Sequence, residues 1–298
     1  MKPITHILLP TDFSECAEQA FGLATMLAKR FSARLTTLHI ITAFDDDPYN
    51  PEKKFPDLQK YYQELEKRAG VNLAAAIKKD KSGLSINYAV RRGFSASEEI
   101  LDFAAENGID FIVMGTHGRK PLSHLLLGSV AEKIVQHAKC PVLTTRMNPP
   151  DSVLFDGFKR ILVPTDFSEH SKRAAQFAAT LLAPQGSVDV LHVVEDNIHP
   201  AYYVSGQSSI FDIIPDLRQR SKHFLETFIK ENIPESLNAK PIVCEGRIAY
   251  QILKYIDENQ IDAIVMGTRG MNDLEQFILG SVAERIVRKA SQPVINVK

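Results

Sequence analysis

With 298 residues the chain is long enough for two cores of ordinary size, and its 44% hydrophobic and 24% charged residues exclude a disordered or fibrous protein. Its net charge of -1, weakly positive over the first half and weakly negative over the second, is too small a field to hold a polyanion, so no nucleic-acid partner is expected. No apolar run approaches the ~18 uncharged residues of a membrane-spanning helix, so no membrane span is expected.

Met1-Lys2-Pro3-Ile4 leads directly into a first strand in place of a signal peptide, which predicts a cytoplasmic protein. Over the first half, β-branched runs predict strands at 4–9, 34–41, 85–91, 111–114 and 142–146. Helical periodicity fills the gaps, at 14–31, 58–79, 95–107 and 129–138. Ser14 is placed to cap the first of these helices, and Ser95-x-x-Glu98 reads as a capping box at the third. Strands alternating with helices in this way build a parallel sheet from βαβ units. The three cysteines, Cys16, Cys140 and Cys244, lack the C-x-x-C spacing of a zinc site or redox pair and read as structural thiols.

The second half repeats the first. Ile7-Leu8-Leu9-Pro10-Thr11-Asp12-Phe13-Ser14-Glu15 returns as Ile161-Leu162-Val163-Pro164-Thr165-Asp166-Phe167-Ser168-Glu169. Ile109-Asp110 through Met114-Gly115-Thr116 returns as Ile261-Asp262 through Met266-Gly267-Thr268, and Leu127-Gly128-Ser129-Val130-Ala131-Glu132 returns as Leu279-Gly280-Ser281-Val282-Ala283-Glu284. A period this long marks a duplicated domain, since solenoid repeats recur every ~20 to 50 residues. Domains are therefore expected over 1–147 and 158–298, joined by a linker over 148–157 that begins with the prolines of Asn148-Pro149-Pro150. The second copy is expected to follow the same plan, with Ser168 as its first cap. Residues 44–57 and 195–215 differ completely between the copies, as insertions after the second strand would.

Each copy carries a glycine constellation between its fourth strand and its last helix. Gly115-x-x-Gly118 is followed after nine residues by Gly128-Ser129, and Gly267-x-x-Gly270 after nine by Gly280-Ser281. Glycine permits positive φ and close approach of a ligand, and a helix start offers unpaired N–H groups with the positive end of the dipole. That combination suits phosphate, although short glycine motifs also make plain turns. Retention of these glycines in both copies, while most intervening residues diverged, favours the phosphate function. Asp12 and Asp166 end the first strand of each copy, where a carboxylate either caps the next helix or contacts a ligand. His39 and His192, each in Leu-His-Ile/Val, read as structural residues because no acid or base partner recurs beside them.

Together these motifs resemble the universal stress protein family, in its ATP-binding branch with the pattern G-x2-G-x9-G-(S/T), over nearly all of both halves. The resemblance implies two tandem Rossmann-like α/β domains, each a five-stranded parallel sheet of order 3-2-1-4-5 with helices on both faces. It implies that adenine and ribose lie on Pro10, Thr11, Asp12 and the Ile40 backbone, and phosphates on Gly115, Gly118, Gly128, Ser129 and Val130. In the second copy the same roles fall to Pro164, Thr165, Asp166, Val193, Gly267, Gly270, Gly280, Ser281 and Val282. It further implies ATP as the bound nucleotide, accompanied by magnesium or manganese, and a nucleotide-dependent regulatory protein of the stress response. Homo-oligomers stay open.

Two other functions remain. An ATP-hydrolysing or adenylating enzyme could share the fold, but no duplicated catalytic lysine or acid–base pair stands near the phosphate loop. An interaction protein for an apolar ligand is suggested by Pro200-Ala201-Tyr202-Tyr203-Val204 and Ile210-Phe211-Asp212-Ile213-Ile214, a stretch that equally suits a lid packed on its own domain. A dinucleotide-binding dehydrogenase is excluded because Pro-Thr-Asp-Phe-Ser occupies the place of G-x-G-x-x-G after the first strand. The copies also differ between their second and third glycines, where Arg119, Lys120 and His124 face Met271, Asn272, Asp273 and Glu275. The first loop is basic and the second acidic, so the first site is expected to attract a triphosphate more strongly.

Overall fold

The structure, a computed structural model, describes residues 2–42, 58–80, 83–117, 127–146, 157–195, 209–268 and 279–298. The chain divides into two compact units, Lys2–Met147 and Asn148–Lys298. In the first, β1 (His6–Pro10), α1 (Glu15–Phe31), β2 (Arg34–Thr42), α2 (Leu58–Lys79), β3 (Ile86–Gly93), α3 (Ala96–Glu106), β4 (Phe111–Gly115), α4 (Ser129–His137) and β5 (Val142–Thr145) alternate without exception. The second unit runs β6 (Phe158–Pro164), α5 (Glu169–Leu181), β7 (Leu182–Val194), α6 (Ile210–Ile213), α7 (Leu217–Asn232), β8 (Asn238–Glu245), α8 (Ile248–Glu258), β9 (Ala263–Gly267), α9 (Ser281–Lys289) and β10 (Val294–Val297).

The sheet of the first unit has the order β3-β2-β1-β4-β5 and that of the second β8-β7-β6-β9-β10, every neighbouring pair within each being parallel. All five residues of β1, all four of β5 and the first four of β4 are buried, so both faces of the central sheet are covered, as a parallel sheet requires. Helix α1 packs on β1 and β4, while α3 packs against α4; the same pairings recur as α5 on β6 and β9, and α8 with α9.

The helix starts follow local chemistry. Ser14 and Ser95 hold extended backbones and accept hydrogen bonds from Ala17 N and Glu98 N, so each helix begins one residue after its cap. Strand β1 begins later than the hydrophobic run does, because Asp110 Oδ2 accepts from Thr5 N (2.9 Å), Thr5 Oγ1 (2.7 Å) and His6 N (3.1 Å). Asp262 holds Lys159 N and Arg160 N in the same manner, both at 2.9 Å. The repeated Ile-Asp pair is thus a clamp on the first strand.

The second copy departs from the first at one junction. In the first, Ser32 turns the chain out of α1 with φ 50°, its N–H bonding Ala28 O and Lys29 O. In the second, α5 passes directly into the thirteen-residue β7, Gln185 takes φ 63°, and the β6–β7 register shifts between Phe158 and Arg160. Insertion 44–57 lies outside the described residues, as does 196–208 of the second insertion and all of the expected linker except Gly157. The described end of the second insertion forms α6, whose Phe211 is buried beneath the Arg218 guanidinium, 4.3 Å from the ring centre.

Candidate functional site

The strand order reverses at β1, which sends its chain to β2 on one side and has β4 on the other. In an open parallel sheet this leaves a crevice beyond the carboxyl ends of the strands. Thr11 N bonds Leu38 O at 2.8 Å, carrying the β1–β2 ladder one residue past Pro10, and Thr165 N bonds Leu191 O at the same distance.

The turn that follows is built identically in both copies. Phe13 and Phe167 adopt φ 64° and 65°, a left-handed conformation that bulky residues avoid. Three contacts hold it. Thr11 Oγ1 accepts from Phe13 N at 3.1 Å, Asp12 Oδ1 accepts from Ser14 N at 3.1 Å, and His39 Nδ1 donates to Thr11 O at 2.8 Å while its ring lies 4.6 Å from that of Phe13. The second copy repeats these with Thr165, Asp166 and His192, at 2.9, 3.1 and 2.9 Å and with the same ring separation. The duplicated histidines are therefore structural supports of the turn. Asp12 is not the helix cap, a role that Ser14 fills; its Oδ1 fixes Ser14, accepting from Ser14 Oγ at 2.7 Å.

Opposite this turn stands the glycine constellation. Gly115 ends β4 against α1, where an added Cβ would lie 2.9 Å from Cys16 Sγ and 3.0 Å from the Cys16 carbonyl carbon. Gly267 has the same relation to His170, at 2.8 and 3.0 Å. These two glycines are required by packing whether or not a ligand is present. Gly128 serves as N-cap of α4 with φ -63° and Gly280 caps α9 with φ -57°, so the freedom to take positive φ, expected of these glycines, is not what either supplies. What matters is close approach. Gly128 N donates to Thr116 O at 2.8 Å, and a Cβ on Gly128 would come 2.9 Å from that oxygen. Gly280 N donates to Thr268 O, also at 2.8 Å.

No side chain caps α4 or α9, whose first intrahelical bonds are Glu132 N to Gly128 O and Glu284 N to Gly280 O, both 2.9 Å. The N–H groups at Ser129 and Val130, and at Ser281 and Val282, thus lie in the first turn of an uncapped helix start, the arrangement that suits an anion. Ile40 and Val193, nearly buried, lie on β2 and β7 two residues beyond Leu38 and Leu191, the last register partners of β1 and β6. Ser14 Oγ stands 3.5 Å from His117 O, linking the first-strand turn to the loop after β4. Gly118 and Gly270 lie outside the described residues, as do Arg119, Lys120, His124, Met271, Asn272, Asp273 and Glu275.

Among the described residues no group of three or more His, Cys, Asp or Glu side chains could hold a metal ion, and no helix is long and apolar enough to cross a membrane. The three cysteines are free thiols, and burial pushes that of Cys244 up. Sequence reasoning missed Thr116 and Thr268, which follow the first glycine of each loop. Their repetition was visible, but nothing in the sequence told that their side chains are buried.

The universal stress protein family model matches the chain twice, over residues 3–146 and 157–298. A universal stress protein of Methanocaldococcus jannaschii is 34% identical over 144 residues, covering 47% of this chain and 81% of the relative. One from Mycobacterium bovis is 26% identical over 264 residues, spanning 88% of this chain and 86% of its own. The crystal structure of a universal stress protein from Archaeoglobus fulgidus superposes with a TM-score of 0.70 at 24% identity, covering 100% of this chain and 99% of that one. The chain thus belongs to the universal stress protein family, as a tandem member with one family domain in each half.

Proposed function

We propose that this universal stress protein binds ATP in the crevice of each half and acts in the cytoplasm as a nucleotide-dependent regulatory protein. Adenine and ribose rest on Pro10, Thr11, Asp12 and the Ile40 backbone, or on Pro164, Thr165, Asp166 and Val193. The phosphates meet the start of α4 or α9. One observation carries this reading: the side-chain-free cap at Gly128, pressed against Thr116 O, leaves a helix start open at the carboxyl edge of β4, and Gly280 repeats it. The described side chains offer no metal cage, so magnesium or manganese fits only as a companion of the phosphates, screening their charge.

The test removes one N–H while preserving the helix. Ser129 and Ser281 are the first helical residues, where proline's missing N–H and fixed φ are tolerated. S129P and S281P should each weaken ATP binding at their own site by about tenfold, the worth of one hydrogen bond to a charged group. S129A and S281A, which delete only the hydroxyl, separate the backbone effect. Calorimetry showing the same ATP affinity in the proline variants as in the parent overturns the assignment.

A further inference from the structure

The loops of the two copies are wired differently at one buried hydroxyl. In the first copy, Thr116 Oγ1 lies 2.8 Å from His117 Nδ1, and the residue is 2% exposed. In the second, histidine is replaced by Arg269, and Thr268 Oγ1, in a residue 1% exposed, has no hydrogen-bond partner among the described residues. A buried hydroxyl left unpaired is costly, and one reason a native protein keeps such a group is that something outside the chain completes it.

The place of Thr268 says what that is. It directly follows Gly267 at the end of β9, its N–H bonds Val297 O at 3.1 Å, and its carbonyl accepts from Gly280 N at 2.8 Å. Both backbone groups are therefore occupied, and the hydroxyl belongs to the residue that touches the uncapped start of α9. A hydroxyl can donate to an anionic oxygen as well as accept. Ser281, Val282 and Thr268 together form a donor set; in the first copy the equivalent hydroxyl is paired with His117 Nδ1, which takes the hydroxyl hydrogen when the ring carries its proton on Nε2.

We propose that Thr268 is a phosphate-binding residue of the second site, donating its hydroxyl hydrogen to a nucleotide phosphate oxygen, and that Thr116 has no such role in the first. This rests on the ATP-binding reading above and deepens it. The two threonines, identical in sequence, differ in function because one neighbouring side chain differs.

T268V and T116V in the full chain give crossed outcomes. Valine preserves the shape of threonine and removes the hydroxyl. Without ligand, T268V should raise the melting temperature of the second half by roughly 2–4 °C, since it deletes an unpaired buried group. T116V should lower that of the first half by a similar amount, since it strips a partner from His117. Hydrogen exchange of peptides covering the starts of α4 and α9, titrated with ATP, adenosine and inorganic phosphate, reads each site separately. Expected is an affinity loss of about tenfold for ATP at α9 in T268V, unchanged affinity for adenosine there, and unchanged ATP affinity at α4 in T116V. Weakening with inorganic phosphate as well would show that the phosphate group alone suffices as the ligand.

A T268V variant that melts lower and binds ATP as the parent does would make the hydroxyl a structural group and overturn the proposal. Equal losses for ATP and adenosine would overturn it too, by placing the effect outside the phosphates. If the parent chain shows no protection at α9 with any of the three ligands, the ATP-binding reading of the second half falls together with it.

Discussion

His6 and Arg160 occupy matching places near the amino ends of β1 and β6, one neutral beside a threonine and the other cationic beside a buried carboxylate. The His6 ring, 6% exposed, lies 3.2 Å from Asn107 O through Nδ1, which must donate, and 2.8 Å from Thr36 Oγ1 through Nε2, which accepts in the neutral ring. Burial, with the Arg34 charge, holds its pKa below the ordinary 6.5, against the opposing Asn107 carbonyl and Asp110. Arg160 instead donates to Asn259 O and to the wholly buried Asp189, whose Oδ2 also accepts from Tyr255 OH at 2.9 Å. Burial and then Asp189 push the Tyr255 phenol from 10.0 up to about 12, against Arg160. The signs follow from which state binds protons. Below 6.5 the unfolded chain protonates His6 more readily than the folded one, so the first half loses stability on acidification. Tyr255 stabilises the second half fully below 10.0 and loses that contribution as pH rises toward about 12. Urea unfolding read by pulse proteolysis, which separates the halves by fragment size, should show the midpoint of the first half falling as pH drops below 6.5 and that of the second falling as pH rises from 10.0 toward about 12. A midpoint that does not move over its own window would refute the corresponding assignment.

At the level of elements, the contact between β4 and α1 sets the geometry of the first crevice. Gly115 is there because α1 crosses the end of β4 so closely that Cys16 occupies the space of a Cβ. Cys16 Sγ also donates to Thr145 O at 3.2 Å, tying the first turn of α1 to β5. G115A should therefore destabilise the first half by about 1–3 kcal/mol, the usual cost of overpacking a core. Shortening Cys16 to alanine should not rescue it, since the backbone carbonyl carbon, 3.0 Å from the added atom, cannot withdraw. Full rescue by C16A in thermal unfolding would show that the sulfur alone imposes the glycine. A β4 displaced by overpacking would carry Thr116, and with it the carbonyl that receives Gly128 N, so ATP affinity at the first site should fall as well.

For the whole molecule, duplication of one scaffold has produced two crevices that share their backbone and the Thr, Asp and His side chains of the first turn, and differ in the side chains of the glycine loop. Arg119 and Lys120 belong to the first loop, Asp273 and Glu275 to the second. An exposed charge near a phosphate is worth up to about 1 kcal/mol, roughly fivefold, so the two basic residues of the first loop together should let the first site bind ATP roughly tenfold more tightly or beyond. The Thr268 hydroxyl works in the opposite direction and narrows that gap, as would magnesium recruited by the acidic loop. Hydrogen exchange at the starts of α4 and α9 in the T268V chain, titrated with ATP with and without magnesium, reads the effect of charge at each site. Equal affinities or a tighter second site in T268V without magnesium would overturn the argument from charge.

The amino-acid sequence by itself determined the duplicated domain, the alternation of strands and helices, and the caps at Ser14, Ser95 and Ser168, because periodicity and capping are local properties written along the chain. It also marked Gly115, Gly128 and Gly267, positions where a side chain is excluded. Why it is excluded was decided by tertiary structure: the obstacles are Cys16, His170 and the Thr116 carbonyl, brought there by packing and loop closure, and not a demand for positive φ. Ile-Asp was legible only as part of the repeat, yet Asp110 and Asp262 act across more than a hundred residues as clamps on β1 and β6. The left-handed Phe13 and Phe167 are held in part by the local Thr and Asp side chains and in part by the His39 and His192 rings on the neighbouring strands, a contribution that no local pattern contains. Thr116 and Thr268 are the limiting case. The same residue in the same motif is paired in one half and unpaired in the other, and burial of the hydroxyl, a property of the folded chain, is what turns that difference into chemistry.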